Sequence, residues 1–248
     1  MIDKKKLLFV GCVLLAVVLL PNLAMAQDDP HAHGKSWWEL FKTTGAVGVL
    51  LLIVSIGGTT LVIEHFVSIK RDKLAPPRLT SELQALLDED KYDDAIDLCD
   101  QYPLYMTNVL GASLRMRHAG YEEMISVLEQ AAAEETFRLN AKISYLSLLG
   151  NVAPLLGLLG TVTGMISSFQ VIEQLKAPTP KDLAKGVYES LVNTTLGLFL
   201  AIVFLTFFFV FKNKVTALTL SINLQAVDML KGLAGQLTGH GDAGKVAR

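Results

Sequence analysis

VAPLLGLLGTVTGMISSF, residues 152–169, carries no charge and would pass for a plain membrane helix but for its minority residues. It holds one proline, three glycines, two threonines and two serines. Lipid tails give membrane helices no hydrophobic gain on association, so contacts between them rely on close backbone approach, and small residues gather there. The stretch therefore reads as a helix that crosses lipid and meets other helices. Gly150, Gly157 and Gly164 recur every seven residues, with Gly160 four before Gly164, which places small residues along one helix face. Pro154 removes a backbone hydrogen bond and predicts a kink in the first half of this span.

The flanks extend the reading. Residues 122–142 are rich in Ala, Glu, Leu and Arg and run without glycine or proline into a second span over 144–170. One helix of about 45 residues would be about 65–70 Å long, so roughly half projects beyond a hydrocarbon core of ~30 Å. A first span is expected over 45–67, stopping against Lys70, Arg71, Lys73 and Arg78, and a third over 191–211, stopping at Lys212 and Lys214. Eight Lys/Arg lie near the ends on that side and five on the other, which places Lys70 and Lys212 in the cytoplasm. Between spans two and three, 171–190 is expected to be a periplasmic loop turning at Ala177-Pro178-Thr179-Pro180, with Asp182 capping the next helix.

The N-terminus reads as a secretory signal over 1–26: Lys4, Lys5 and Lys6, an apolar run from Leu7 to Leu20, then Ala24-Met25-Ala26 as a cleavage site. An uncleaved anchor is the rival reading. Residues 27–44 form a periplasmic segment whose Trp37 and Trp38 suit the membrane interface. Residues 68–143 form a cytoplasmic domain with helical spacing over 79–88, 92–99 and 104–118, divided by Pro103 and Gly120. The C-terminal part, 212–248, holds an amphipathic helix over 217–237 and a tail. The fold class is thus an all-α membrane protein with three transmembrane helices, long helices projecting into the cytoplasm and a helical domain between spans one and two. Its N-terminus is periplasmic and its C-terminus cytoplasmic.

Composition agrees. The 248 residues are 51% hydrophobic and 19% charged, and the mean hydropathy is +0.42, values typical of integral membrane proteins. A net charge of −2 without a basic patch argues against nucleic acid as a partner. Two cysteines, Cys12 and Cys99, offer no disulfide framework or metal-ligand spacing. No cofactor, metal site or covalent catalysis is expected, and the chain is not read as an enzyme.

The third span adds Asn193, Thr194 and Thr195 near its outer end, then Gly197; Thr161 and Thr163 of span two lie at a similar depth. A threonine in a membrane helix commonly bonds back to its own helix. Hydroxyls near one depth on two spans, beside an amide that needs partners, also fit a shared polar interior. Spans two and three contain no Asp, Glu, Lys, Arg or His. Since charge within a membrane marks proton relays, protons passing here would need a titrating carboxylate from another chain. Glu189 at the outer mouth is the nearest acid; Glu64 and His65 at the inner end of span one either join a proton path or pair at the interface.

VAPLLGLLGTVTGM, followed about 30 residues later by ESLVNTTLGLFLAI, resembles the ExbB/TolQ/MotA proton-channel family, and ExbB most. MotA, with four spans, is less similar. The resemblance implies an inner-membrane complex of Gram-negative bacteria in which about five copies surround a pore lined by spans two and three. A dimer of single-span ExbD/TolR-like partners inside would carry the membrane Asp. Proton flow through it would energise a TonB- or TolA-like protein for outer-membrane transport. Thr161 and Thr194 match the family's pore threonines, Glu189 its acid at the mouth and Pro154 its proline; Asn193, Thr195 and Thr163 join the polar pathway, while Gly157, Gly160, Gly164 and Gly197 serve packing. The sequence departs from the ExbB pattern at Val203 and at Thr206-Phe207-Phe208-Phe209, and Asn193 and Thr195 replace common alanines. The signal peptide favours an extended ExbB-type protein. A TolQ-type or gliding motor subunit, and a non-conducting membrane scaffold, are the alternatives.

Overall fold

A computed structural model of the chain describes residues 45–174 and 179–243. The side chains of residues 45, 180–183, 185, 189 and 233–243 fall outside this description. The segment expected to be a signal (1–26), Trp37 and Trp38 lie outside the described residues. The order is α1 (Gly45–Ser68), α2 (Arg71–Leu74), α3 (Pro77–Asp88), α4 (Tyr92–Gln101), α5 (Tyr105–Leu114), a 3₁₀ turn (Arg117–Ala119), α6 (Tyr121–Gln174) and α7 (Pro180–Ala243). No strand occurs among the described residues, and three helices are long and apolar enough to cross a membrane: α1, α6 and α7.

Two elements run further than the sequence suggests. The segment read as a loop is largely helical, because α6 continues to Gln174 and α7 starts at Pro180. Proline suits a first helical turn, where its missing N–H would have no partner; Asp182 therefore falls inside the first turn and not at the N-cap position. The amphipathic helix expected after the third span is also no separate element, since α7 runs through Lys212 and Lys214 without a break to Ala243. Charge ends a membrane span but not a helix, and lysine is a good helix former. α6 likewise passes through Pro154 as one helix of 54 residues.

The chain divides into two compact units. One holds α1 up to Glu64 together with Ser144–Phe209, and so contains the apolar spans. The other holds His65–Ile143 and the chain from Val210. The core of this second unit follows helical spacing: Leu83 and Leu87 on α3, Ala95 and Cys99 on α4, Val109, Leu110 and Leu114 on α5, Met124 and Leu128 on α6, Ile222, Ala226 and Leu230 on α7. On α3, α4, α6 and α7 the residues of each set stand three or four apart or multiples of that, so each of these helices turns one stripe inward, whereas α5 is buried along most of its length. Polar ties cross the same core. Tyr105 Oη donates to Asn223 Oδ1 at 2.9 Å and lies 3.1 Å from Thr136 Oγ1, and Ser113 Oγ donates to Met124 O at 2.7 Å. Gly120, with φ +102° and ψ 167°, occupies a conformation open only to glycine and lets the chain turn into α6.

Cys99 faces this core and is a free thiol. Burial, with the Asp100 carboxylate adding to it, pushes the thiol up to about 11. An acid whose folded pKa is raised stays protonated in the native chain while the unfolded chain ionises, so its contribution is intact below about pH 8.5 and lost as pH rises through about 11. The effect is on the order of 2–3 kcal/mol at most. Cys99 is expected to resist iodoacetamide at pH 8.5 in the folded chain and to react once the unit is denatured, as read by peptide mass mapping. Rapid native-state labelling would contradict its place in the core.

Candidate functional site

The spans of α6 and α7 meet along a seam of small residues within the first unit. A methyl group added at Gly150 would lie 2.9 Å from Leu205 Cγ, at Gly197 2.5 Å from Ala153 O, and at Gly157 3.0 Å from both Asn193 O and Thr194 Cα. At Gly160 it would lie 2.8 Å from Asn193 Cβ and 2.9 Å from Asn193 Nδ2. Further along, Ser190 Oγ occupies the space over Gly164, and Ser168 Oγ the space over Gly186. Partner numbers fall along α7 as they rise along α6, so the helices run antiparallel at backbone contact. At each of these glycines a side chain would meet the opposite helix. α1 joins the unit by a similar device, with the Phe204 ring of α7 resting on Gly58.

Asn193 is buried with its amide seated on Gly160. Thr194 is the hydroxyl that crosses the seam: its Oγ1 donates to Gly157 O at 3.0 Å. The other predicted threonines bond back to their own helices. Thr161 Oγ1 donates to Leu158 O at 2.7 Å, Thr163 Oγ1 to Leu159 O at 2.9 Å, and Thr195 Oγ1 to Leu191 O at 3.0 Å. No hydrogen bond joins Thr161 to Thr194. Thr161 is half-buried, and Thr163 and Thr195 are exposed on the single chain. Glu189 precedes the buried Ser190 on α7, with its side chain outside the described residues.

Ser168 and Ser190 escaped the sequence reading. Each donates to the carbonyl of a glycine four residues earlier, Ser168 Oγ to Gly164 O at 2.8 Å and Ser190 Oγ to Gly186 O at 2.7 Å, while resting on the other helix's glycine. The signal was available as two small-xxx-small pairs, Gly164/Ser168 and Gly186/Ser190. No cluster of three or more His, Cys, Asp or Glu that could hold a metal occurs among the described residues.

Fold and seam together define a helical membrane protein whose second and third spans pack through glycine and enclose uncharged polar groups. Residues 104–223, which contain both quoted stretches, match the MotA/TolQ/ExbB proton channel family, and over that stretch the chain is similar to it. A putative biopolymer transport protein ExbB homolog of Methanothermobacter thermautotrophicus is 24% identical over 167 residues, 66% of this chain and 59% of its own. The Tol-Pal system protein TolQ of Pseudomonas aeruginosa is 33% identical over 81 residues, 33% of this chain and 35% of its own. The chain thus spans less than two thirds of the length of either relative. The solved structure of C. jejuni MotAB shares the fold at a TM-score of 0.51 and 14% identity, over 94% of this chain and 90% of that one.

Proposed function

We propose that the chain is the proton-channel (stator) subunit of an inner-membrane complex that uses the proton motive force to energise a TonB-like protein for outer-membrane transport. The observation that carries the reading is the uncharged polar seam: Thr194 reaches across to Gly157 and Asn193 lies buried on Gly160, in spans that hold no Asp, Glu, Lys, Arg or His between 144–170 and 191–211. Hydroxyls in such spans line a path without titrating, so the proton carrier is a carboxylate from a second chain, an ExbD/TolR-like single-span partner with a membrane Asp. About five copies enclose that partner, with Thr161, Thr163, Thr195 and Glu189 on the same route. The chain lies N-terminus out and C-terminus in, as the Lys/Arg bias of its span ends supports. The TolQ relative supports the alternative of a Tol-type envelope motor.

Co-expression with the single-span partner tests both. The purified complex is expected to contain about five copies, to carry proton flux in proteoliposomes, and to restore TonB-dependent uptake to a strain lacking its own channel subunit. One or two copies per complex would sink the ring. Restored outer-membrane integrity without uptake would assign the Tol role.

A further inference from the structure

We propose that the groove beside Arg71 on the exposed face of α7 receives Phe137 and Glu134 of a second copy of this chain. The inference rests on the ring of about five copies proposed above and names a contact that closes it outside the spans. Three large apolar side chains of the second unit stand well out of its core. Phe137 on α6 is 73% exposed, and Leu220 and Leu224 on α7 are 61% and 58% exposed. Lipid tails do not account for them. Phe137 stands among Glu134, Glu135 and Arg138, and both leucines lie beyond Lys212 and Lys214. Leu220 and Leu224 line a groove of about 540 Å³ whose walls include Arg71, Gln225 and Asp228.

Height along the helices pairs the two patches. His65 reaches Lys142 O on α6 and packs against Phe211 of α7, while Tyr105 reaches Thr136 on α6 and Asn223 on α7. Going from the first tie to the second, numbers fall along α6 and rise along α7. Thr136 and Asn223 thus share a height, and Phe137 stands level with the space between Leu220 and Leu224. Glu134, about one turn from Phe137, stands level with Gln225, whose Oε1 accepts a bond from Arg71 Nη2 at 3.2 Å. Spans fixed in lipid hold every copy at one depth, so a ring forms by rotation alone and joins surfaces of equal height. A lone exposed apolar residue needs no partner. Here an aromatic ring and an acid on one helix match, height for height, a leucine groove and an arginine beside the other. The two patches differ, so the contact is head-to-tail, the kind that closes into rings. An aromatic anchor in an apolar pocket is the usual centre of such a contact. In the single chain Glu134 pairs with Arg138 at 2.7 Å, both side chains more than half exposed, and such a pair exchanges partners at little cost.

The test uses the full chain in membranes with its single-span partner, all in a Cys12→Ser background. Chains carrying Phe137→Cys and separately tagged chains carrying Leu224→Cys are co-expressed and treated with a short bis-maleimide. Covalent dimers holding one chain of each kind are expected. Either kind expressed alone should stay monomeric on a denaturing gel, as should the background chain, whose Cys99 is buried. Arg71→Glu and Glu134→Arg are each expected to at least halve the yield of multi-copy complex, and the two together to restore most of it. Dimers from Phe137→Cys chains alone would set Phe137 against Phe137 and overturn the inference. So would a complex of about five copies that gives no mixed dimers, which leaves the proposed function standing. A double reversal that restores nothing removes Glu134 and Arg71 from the contact. A native complex of one or two copies overturns the proposed ring and this inference with it.

Discussion

Gly197→Ala is expected to destabilise the span unit more than any other single methyl group added to it. The added carbon would lie 2.5 Å from Ala153 O and 3.2 Å from Gly157 Cα. Both are backbone atoms of α6, so no rotamer change relieves the contact and the two helices must separate. Overpacking of this kind costs about 1–3 kcal/mol, and separation also lengthens the Thr194 to Gly157 hydrogen bond four residues along. With roughly 2–4 °C lost per kcal/mol for a chain of this size, the melting temperature in detergent should drop by about 5–10 °C. Gly57→Ala supplies the control. Nothing lies within 4 Å of a methyl group there, and alanine's better helix propensity makes the change neutral or slightly favourable. Gly58→Ala sits between the two, because the obstacle is the Phe204 ring; Gly58→Ala combined with Phe204→Leu should recover much of the loss. If Gly197→Ala melts with the native protein, the backbone-to-backbone seam is wrong.

The seam was legible in outline because packing in lipid leaves a compositional mark: Gly150, Gly157, Gly160, Gly164 and Gly197 all stand where a methyl group would strike the opposite helix. In the second unit the stripe of α3 was legible from helical spacing, with Leu83, Leu86 and Leu87 on one face, while α5, buried on nearly every side, carries no such stripe. Hydroxyl direction was not. Thr194 and Thr195 are neighbours of one type, yet one hydroxyl crosses to α6 and the other returns to Leu191 O. Successive residues on a helix point about 100° apart, and the choice depends on which faces the Gly157 carbonyl. Nor could the length of α7 be read, because Lys212 and Lys214 mark the edge of lipid while leaving the backbone ladder intact. The serines at 168 and 190 show a third limit: a small residue in a span is ambiguous until its opposite number is known.

Phe211→Ala is expected to be the most damaging truncation where the spans end. Phe211 is fully buried, its ring 5.0 Å from Phe66 in an edge-on arrangement and 5.6 Å from the ring of His65. His65 is also buried, and its Nε2 lies 3.2 Å from Lys142 O. A carbonyl acceptor requires that nitrogen to carry hydrogen, so the imidazole binds α1 to α6 while its ring packs at a tilt against Phe211 of α7. Removing a buried phenylalanine costs about 3–5 kcal/mol in water-soluble cores, of which ring–ring contacts supply about 0.5–1.5 kcal/mol. Loss of the ring should therefore prevent accumulation of folded complex at 37 °C, whereas Phe211→Leu, which fills most of the space, should assemble with a lowered melting temperature. The same cluster decides what His65 is for. As a clasp, it is replaceable by a residue that donates to Lys142 O, so His65→Gln should assemble and keep flux within a few-fold of native. A His65→Gln complex that assembles and melts normally yet carries under a tenth of the native flux would move His65 from the clasp into the proton path.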